Sequence, residues 1–236
     1  NHLTWIASKE IFCVNDFGKT DYYEKLKPAR YIICDAQYWR DDANSAAKAS
    51  REILFSALIN KTKWKLRFYC PCEAKKFKDW RNELERNENI EIVYYNNTPV
   101  EGWNWFKYYF FKQNLGMPRP HNVLIPNIFI ALNLGFKNIY LCGADHSWLP
   151  QITVTPDNRV LMKQKHFYSD KEPIGAPFLK KGKEESKLHE VLMTFYIMFS
   201  GYFELKKYAD FLNARIINLT TDSYIDAFEK LSLSKH

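Results

Sequence analysis

Asn122-Val123-Leu124-Ile125-Pro126-Asn127-Ile128-Phe129-Ile130-Ala131-Leu132-Asn133-Leu134-Gly135-Phe136-Lys137-Asn138-Ile139-Tyr140-Leu141-Cys142-Gly143-Ala144-Asp145 is the stretch that decides the fold class. Small and apolar residues over 122–134 predict a helix, and Gly135 stands where a left-handed residue ends one. Residues 137–142 then predict a strand, stopped by Gly143. It is the most apolar strand of the chain, so a central, buried place in a parallel sheet is expected.

The same alternation extends toward the amino terminus. Strand-like runs at 10–14, 31–34, 64–69 and 90–95 are separated by helix-like runs at 21–26, 42–58 and 75–86. The first of these helices stops before Pro28, because a residue preceding proline is pushed out of the α region. Strands alternating with helices predict an α/β fold, a Rossmann-like, mostly parallel sheet flanked by helices, in one domain over residues 1–236. Residues 101–113 hold Trp103, Trp105, Phe106, Tyr108, Tyr109, Phe110 and Phe111. Packing in a core or at a domain edge is the expectation for these rings, a sugar-stacking or acceptor surface the alternative. Residues 149–185 lose all period and read as a long irregular lid or binding loop. A long helix over 186–212, a short strand at 215–217 and a closing helix after Thr221 complete the order.

Composition narrows the class. The 236 residues are 46% hydrophobic and 17% aromatic, enough for a packed core. Thirty-four Lys+Arg against 27 Asp+Glu leave a net charge of +7, so an anionic partner is expected: a nucleic acid, a nucleotide-activated small molecule or a phosphate-bearing membrane surface. The basic clusters at 61–65, 75–78 and 180–183 have acidic residues nearby, read as solvated faces and decide little between these partners; the expectation is no nucleic acid. The odd cysteine count, Cys13, Cys34, Cys70, Cys72 and Cys142, with three inside apolar runs, predicts reduced thiols in a cytoplasmic compartment. No apolar run reaches the roughly 18–20 residues that span a bilayer.

In parallel sheets ligands bind beyond the carboxyl ends of the strands. The candidate residues are therefore Asn15 and Asp16, Asp35, the loop Gly143-Ala144-Asp145-His146-Ser147, and Asn218 with Thr220 and Thr221. The loop after Cys142 combines a carboxylate, an imidazole and a hydroxyl behind a glycine that lets a ligand approach the backbone. It could bind a phosphate or ribose, position a hydroxyl or hold a metal; alternatively Asp145 caps the next segment and His146 is an exposed loop residue. His166, with Tyr168 close by, lies in the irregular segment, where an imidazole can serve as a general base delivered by a closing loop. His189 and the pair Asp41-Asp42 are weaker candidates. The common fingerprints for dinucleotides, P-loop phosphates, nucleophilic serine and zinc proteases do not occur in the sequence.

Three stretches, Phe12-Cys13-Val14-Asn15-Asp16-Phe17, Pro28-Ala29-Arg30-Tyr31 after Tyr23, and above all residues 128–145, resemble the bacterial lipooligosaccharide sialyltransferases and related glycosyltransferase-like proteins of surface-polysaccharide clusters. The resemblance is remote and covers most of the chain in order. It implies a Rossmann-like transferase that moves a sugar, typically a CMP-linked acidic sugar, from a nucleotide donor to a glycan or lipid-linked acceptor. It implies no metal and no further cofactor. Asn15 falls where the family contacts the donor, and His166 falls near its base histidine. The acceptor hydroxyl, deprotonated by His166, would attack in line and invert the anomeric centre. Asp145 and His146 join His166 as catalytic candidates, and Asn15, Asp16, Asp35, Gly143, Ser147 and Tyr168 as donor-binding candidates. The family's opening strand and Gly-Asn-Gly-Pro-Ser type loop are absent from the sequence and are expected upstream of Asn1. Ser147 and Trp148 stand near one position where the family has a tyrosine assisting the departing phosphate, with Tyr168 a distant substitute. Peripheral contact with the inner membrane face fits the basic charge. The alternatives are a Mg²⁺-dependent pyrophosphokinase-like phosphoryl transferase and a nucleic-acid-binding module.

Overall fold

A computed structural model describes residues 2–162, 175–179 and 184–232. Contacts divide the chain into two compact units meeting in sequence at Phe136 and Lys137. The first holds α1 (His2–Ala7), β1 (Phe12–Val14), α2 (Tyr22–Leu26), β2 (Arg30–Ile32), α3 (Ser45–Lys61), β3 (Leu66–Pro71), α4 (Asp79–Leu84), β4 (Ile90–Tyr95), α5 (Asn104–Lys112) and α6 (Leu124–Asn133). The second holds β5 (Asn138–Leu141), β6 (Ile152–Val154), β7 (Val160–Met162), β8 (Ala176–Pro177), α7 (Leu188–Phe211), β9 (Arg215–Asn218) and β10 (Glu229–Lys230).

In the first unit β1-β2-β3-β4 form a parallel sheet in chain order, with Phe12 opposite Arg30, Arg30 opposite Arg67 and Leu66 opposite Ile90. The helices joining successive strands bury one face of it. Side chains of β3 alternate, so Leu66, Phe68 and Cys70 meet Tyr23 of α2, Leu54, Phe55 and Leu58 of α3, and Trp80 and Leu84 of α4. Arg67, between them, is exposed and donates to Glu91 Oε2 directly across the ladder at 3.0 Å. The rings of Tyr31 and Phe68 stack at 5.7 Å in this core.

Buried side chains close the end of α3. Thr62 Oγ1 donates to the Leu58 carbonyl at 2.6 Å and shares a bond with the Tyr23 hydroxyl, while Asn87 Nδ2 donates to the carbonyls of Ile59 and Thr62. Each such bond contributes on the order of 1 kcal/mol, and a larger loss follows if its partner is left stranded. α6 is apolar nearly all round, with Ile125, Ile128, Phe129, Ile130, Ala131 and Leu132 buried. It ends as the sequence predicts: Gly135 takes φ +91°, its N–H donates to Leu132, and the Phe136 N–H reaches back to Ala131.

The second unit has a parallel sheet in the order β10-β9-β5 and an antiparallel one in the order β6-β7-β8. The chain is therefore α/β and Rossmann-like, with helices flanking a mostly parallel set of strands.

Several expectations are corrected. β5 lies at the edge of its three-stranded sheet, only Leu141 of it is buried, and Cys142 beyond it is exposed; β9 is the central strand. The irregular stretch 149–185 contains a hairpin, β6 with β7, closed by a turn in which Thr155 N–H donates to the Arg159 carbonyl and Asn158 is left-handed. Strands of three residues are too short to show a period of two. The helix expected over 75–86 is broken by an extended Phe77, and the Trp80 indole N–H donates across the break to the Ala74 carbonyl. No helix follows Thr221 among the described residues. There one turn closes with the Ser223 N–H on the Thr220 carbonyl at 3.4 Å, and the chain then turns to the loop after β5: Ser223 Oγ donates to the Ala144 carbonyl at 2.5 Å and Tyr224 N–H to the Asp145 carbonyl at 2.7 Å. All five cysteines are free thiols, and burial pushes Cys34 up to about 11.

Candidate functional site

Strand ends in each unit gather the polar residues singled out in the sequence. In the first unit Asn15, directly after β1, is exposed and left-handed at φ +49°, a conformation asparagine tolerates better than most residues. The buried Tyr31 hydroxyl holds this turn closed. It donates to the Asn15 carbonyl in a short hydrogen bond and accepts from the Gly18 N–H at 2.8 Å. Burial pushes the Tyr31 hydroxyl far above its ordinary pKa, although the Gly18 N–H opposes this, so it stays a donor.

Asp16 follows Asn15 and receives Lys19 Nζ at 3.0 Å and the Tyr38 hydroxyl at 3.4 Å. Asp35, three residues beyond the end of β2, accepts from the Gln37 N–H at 3.5 Å. Burial raises the Tyr38 hydroxyl most, and the charges of Asp16 and then Asp35 raise it further. The first-unit cluster is thus an exposed amide and two carboxylates around a neutral phenol, suited to accepting hydrogen bonds from hydroxyl or amino groups.

In the second unit the loop 143–147 leaves the end of β5. Gly143 takes φ +70°, and the Ala144 N–H donates to Thr220 Oγ1 at 3.0 Å, joining the ends of β5 and β9. The Asn218 side chain carbonyl in turn accepts from the Thr220 N–H at 3.0 Å. With the bonds from Ser223 and Tyr224, the one segment 220–224 fixes the backbone from Ala144 to the Asp145 carbonyl. The Asp145 carboxylate itself remains exposed. Partial burial would raise its pKa, but Ser147 Oγ at 2.7 Å and the N–H groups of Asp145, Ser147 and His146 outweigh this and hold it below the ordinary value.

His146 is buried, with φ +53°, which places its imidazole inward while Asp145 points out. The ring lies 4.4 Å from Trp148, 5.6 Å from Tyr202 and 6.3 Å from Phe199, and Nε2 shares a 2.5 Å hydrogen bond with the Tyr202 hydroxyl of α7. Burial lowers its pKa to about 4, only partly opposed by the Asp145 charge, so the ring is neutral at pH 7. A non-glycine residue in this backbone region is strained and persists only where its surroundings over-determine it. Here the aromatic enclosure does so.

The structure thus brings Gly143, Asp145, His146 and Ser147 into one loop, and Asn15, Asp16 and Asp35 into one cluster. His166 and Tyr168 lie outside the described residues. The supports missing from the sequence reading are Tyr31, Tyr38, Tyr202 and Ser223. Nothing local marks them: each stands in an ordinary strand, helix or turn and gains its role from a partner 13 or more residues away. Neither a protein-family model nor a curated protein nor a solved structure matches the chain.

Proposed function

We propose that the protein transfers a sugar from a nucleotide-linked donor, a CMP-linked acidic sugar in the first instance, to a glycan or lipid-linked acceptor. The observation that carries the reading is the Asp145 carboxylate, ionised, exposed and held at the carboxyl end of a parallel strand by bonds from Ser147 and three backbone N–H groups. A fixed carboxylate at a strand end accepts hydrogen bonds from neighbouring hydroxyls of a ribose or a hexose and orients them. In this reading Gly143 admits the donor close to the backbone, and Ser147 sets the Asp145 rotamer. His146 is a positioning residue that anchors the loop to α7. The base that deprotonates the acceptor hydroxyl is assigned to His166 by the resemblance, and Tyr168 to the departing phosphate. Proton transfer to a positioned base contributes about 10²–10⁴ in rate.

The test is thermal-shift and calorimetric titration of the protein with CMP, UDP, GDP, ADP, ATP and CMP-linked acidic sugars, in EDTA and in Mg²⁺. The expected result is a CMP-species response in EDTA, growing with ligand concentration as linkage requires, and weakened about tenfold or more in Asp145→Asn, whose amide keeps the shape and loses the charge. A response to ATP that requires Mg²⁺ would replace the reading with phosphoryl transfer. Silence toward every nucleotide would remove the donor and the reading with it.

A further inference from the structure

The aromatic helix of the first unit divides its rings between core and solvent. At 3.6 residues per turn, Tyr108, Phe111 and Lys107 of α5 fall on one side and are buried. The opposite arc, about 140° wide, carries Trp105, Phe106, Tyr109 and Phe110, continued by Trp103 at the helix start. Trp103 is 76% exposed, Trp105 71% and Tyr109 60%. The rings are ordered against one another: Trp103 lies nearly parallel to Trp105 at 6.4 Å, Trp105 meets Phe106 edge-on at 5.9 Å, and Phe106 meets Phe110 at 4.8 Å.

An exposed aromatic area on the order of 500 Å² matches the largest apolar patch of a typical monomer, a patch that often serves a binding function. No charged side chain lies within the arc, and the exposed Lys112 stands at its edge. The surrounding sequence is depleted in acid: between Glu91 and Asp145 the one acidic residue is Glu101, against Lys107, Lys112, Arg119 and Lys137. Arg119 covers Glu101 in a bidentate ion pair, with Nε at 3.1 Å and Nη2 at 2.7 Å from Oε1.

We propose that the α5 face is a docking surface for an anionic bilayer, entering the headgroup region with Trp103, Trp105, Phe106 and Tyr109. Tryptophan and tyrosine favour that depth because an apolar ring body meets the acyl boundary while the indole N–H or phenol stays hydrated. A short amphipathic helix with aromatic residues on one face and lysine at the edge lies in the interface plane. The exposed Lys112 at the edge of the arc, with no unpaired acid in the surrounding sequence, suits a surface of phosphate headgroups. A sugar platform is the weaker fit, since stacked hexoses also need acceptors and charged groups beside the rings, and this arc offers the Tyr109 hydroxyl and the indole N–H groups of Trp103 and Trp105. Among the described residues no helix is long and apolar enough to cross a membrane, so the contact is peripheral.

The experiment is flotation of the full chain with vesicles of phosphatidylcholine alone or with 30% phosphatidylglycerol added, on the order of the anionic content of a biological leaflet, paired with tryptophan quenching by brominated lipids. The expected result is binding to the anionic vesicles, strong quenching, and weakening by roughly tenfold or more in both 0.5 M salt and the double variant Trp103→Ser, Trp105→Ser. Circular dichroism and the thermal midpoint of the variant should match the parent, because both side chains are exposed. Failure of the parent to float with either vesicle, or equal flotation of parent and variant, would overturn the proposal. So would self-association by sedimentation that the variant abolishes without vesicle binding, which would assign the face to a second copy of the chain. The nucleotide titration proposed above is carried out without lipid, so either result stands apart from the other.

Discussion

Lowering the pH from 7.5 to 5 should destabilise the protein through His146 in particular. Its folded pKa of about 4 lies below the ordinary 6.5, because the charged ring cannot be solvated among Trp148, Phe199 and Tyr202. As pH falls through 6.5 the unfolded chain takes up a proton that the folded chain refuses, so folding stability is full above that value and declines until about pH 4, below which both states are protonated. A shift of this size corresponds to about 3 kcal/mol over the whole window, and about 2 kcal/mol of it falls between pH 7.5 and pH 5. The Asp145 carboxyl does not confound the measurement, since its pKa lies below the ordinary 3.8 and its stability is lost only in stronger acid. The assay is urea unfolding of the parent and of His146→Gln across that range, followed by circular dichroism. Losing the Tyr202 bond and ring packing should destabilise the variant outright, by about 2 kcal/mol at pH 7.5. The decisive quantity is the slope: the parent should lose about 2 kcal/mol more than the variant on acidification. Equal losses would mean that His146 titrates normally and is neither buried nor neutral as described.

Two further perturbations separate backbone effects from side-chain effects. Tyr31→Phe removes one hydroxyl and strands both the Gly18 N–H and the Asn15 carbonyl, so unfolding by urea should show a loss of about 2–4 kcal/mol with an unchanged m-value. If that loss is below about 0.5 kcal/mol, the phenol does not hold the turn after β1. Gly143→Ala meets no atom within 4 Å of the added carbon, so its cost is conformational alone, about 1 kcal/mol for a left-handed alanine. A loss several times larger, seen as a fall in thermal midpoint, would reveal crowding at the strand end.

The first-unit sheet makes the placement of Asn15 a matter of register. Tyr31 sits opposite Cys13 in the parallel ladder, and its ring extends past the end of β1 to meet the turn that begins at Asn15. Arg30, one residue earlier, has its guanidinium 5.0 Å from the Phe12 ring and 5.6 Å from the Phe136 ring, with Glu10 as its ion partner. Such cation–ring contacts contribute about 0.5–2 kcal/mol each when partly desolvated. Neighbouring strand residues thus serve the two faces of one sheet: one supports the strand and the other shapes the loop beyond it.

The sequence by itself determined the order of the elements in the first unit, the stop at Gly135 and the position of the polar residues beyond each strand. These follow from local physics: apolar spacing that matches a helix or strand, a glycine where the backbone must turn left, and a polar residue where a buried strand surfaces. Tertiary structure alone decided that β9 rather than β5 is central, that 152–162 pairs into a hairpin, and that the described chain after Thr221 forgoes a helix. Each depends on hydrogen bonds between distant segments, such as those from Ser223 and Tyr224 to the loop of Asp145, whose energy no local propensity records. The same holds for the two neighbours Asp145 and His146. In the sequence they are a matched acid and imidazole, but a single left-handed residue turns one toward solvent as an anion and the other inward as a neutral ring.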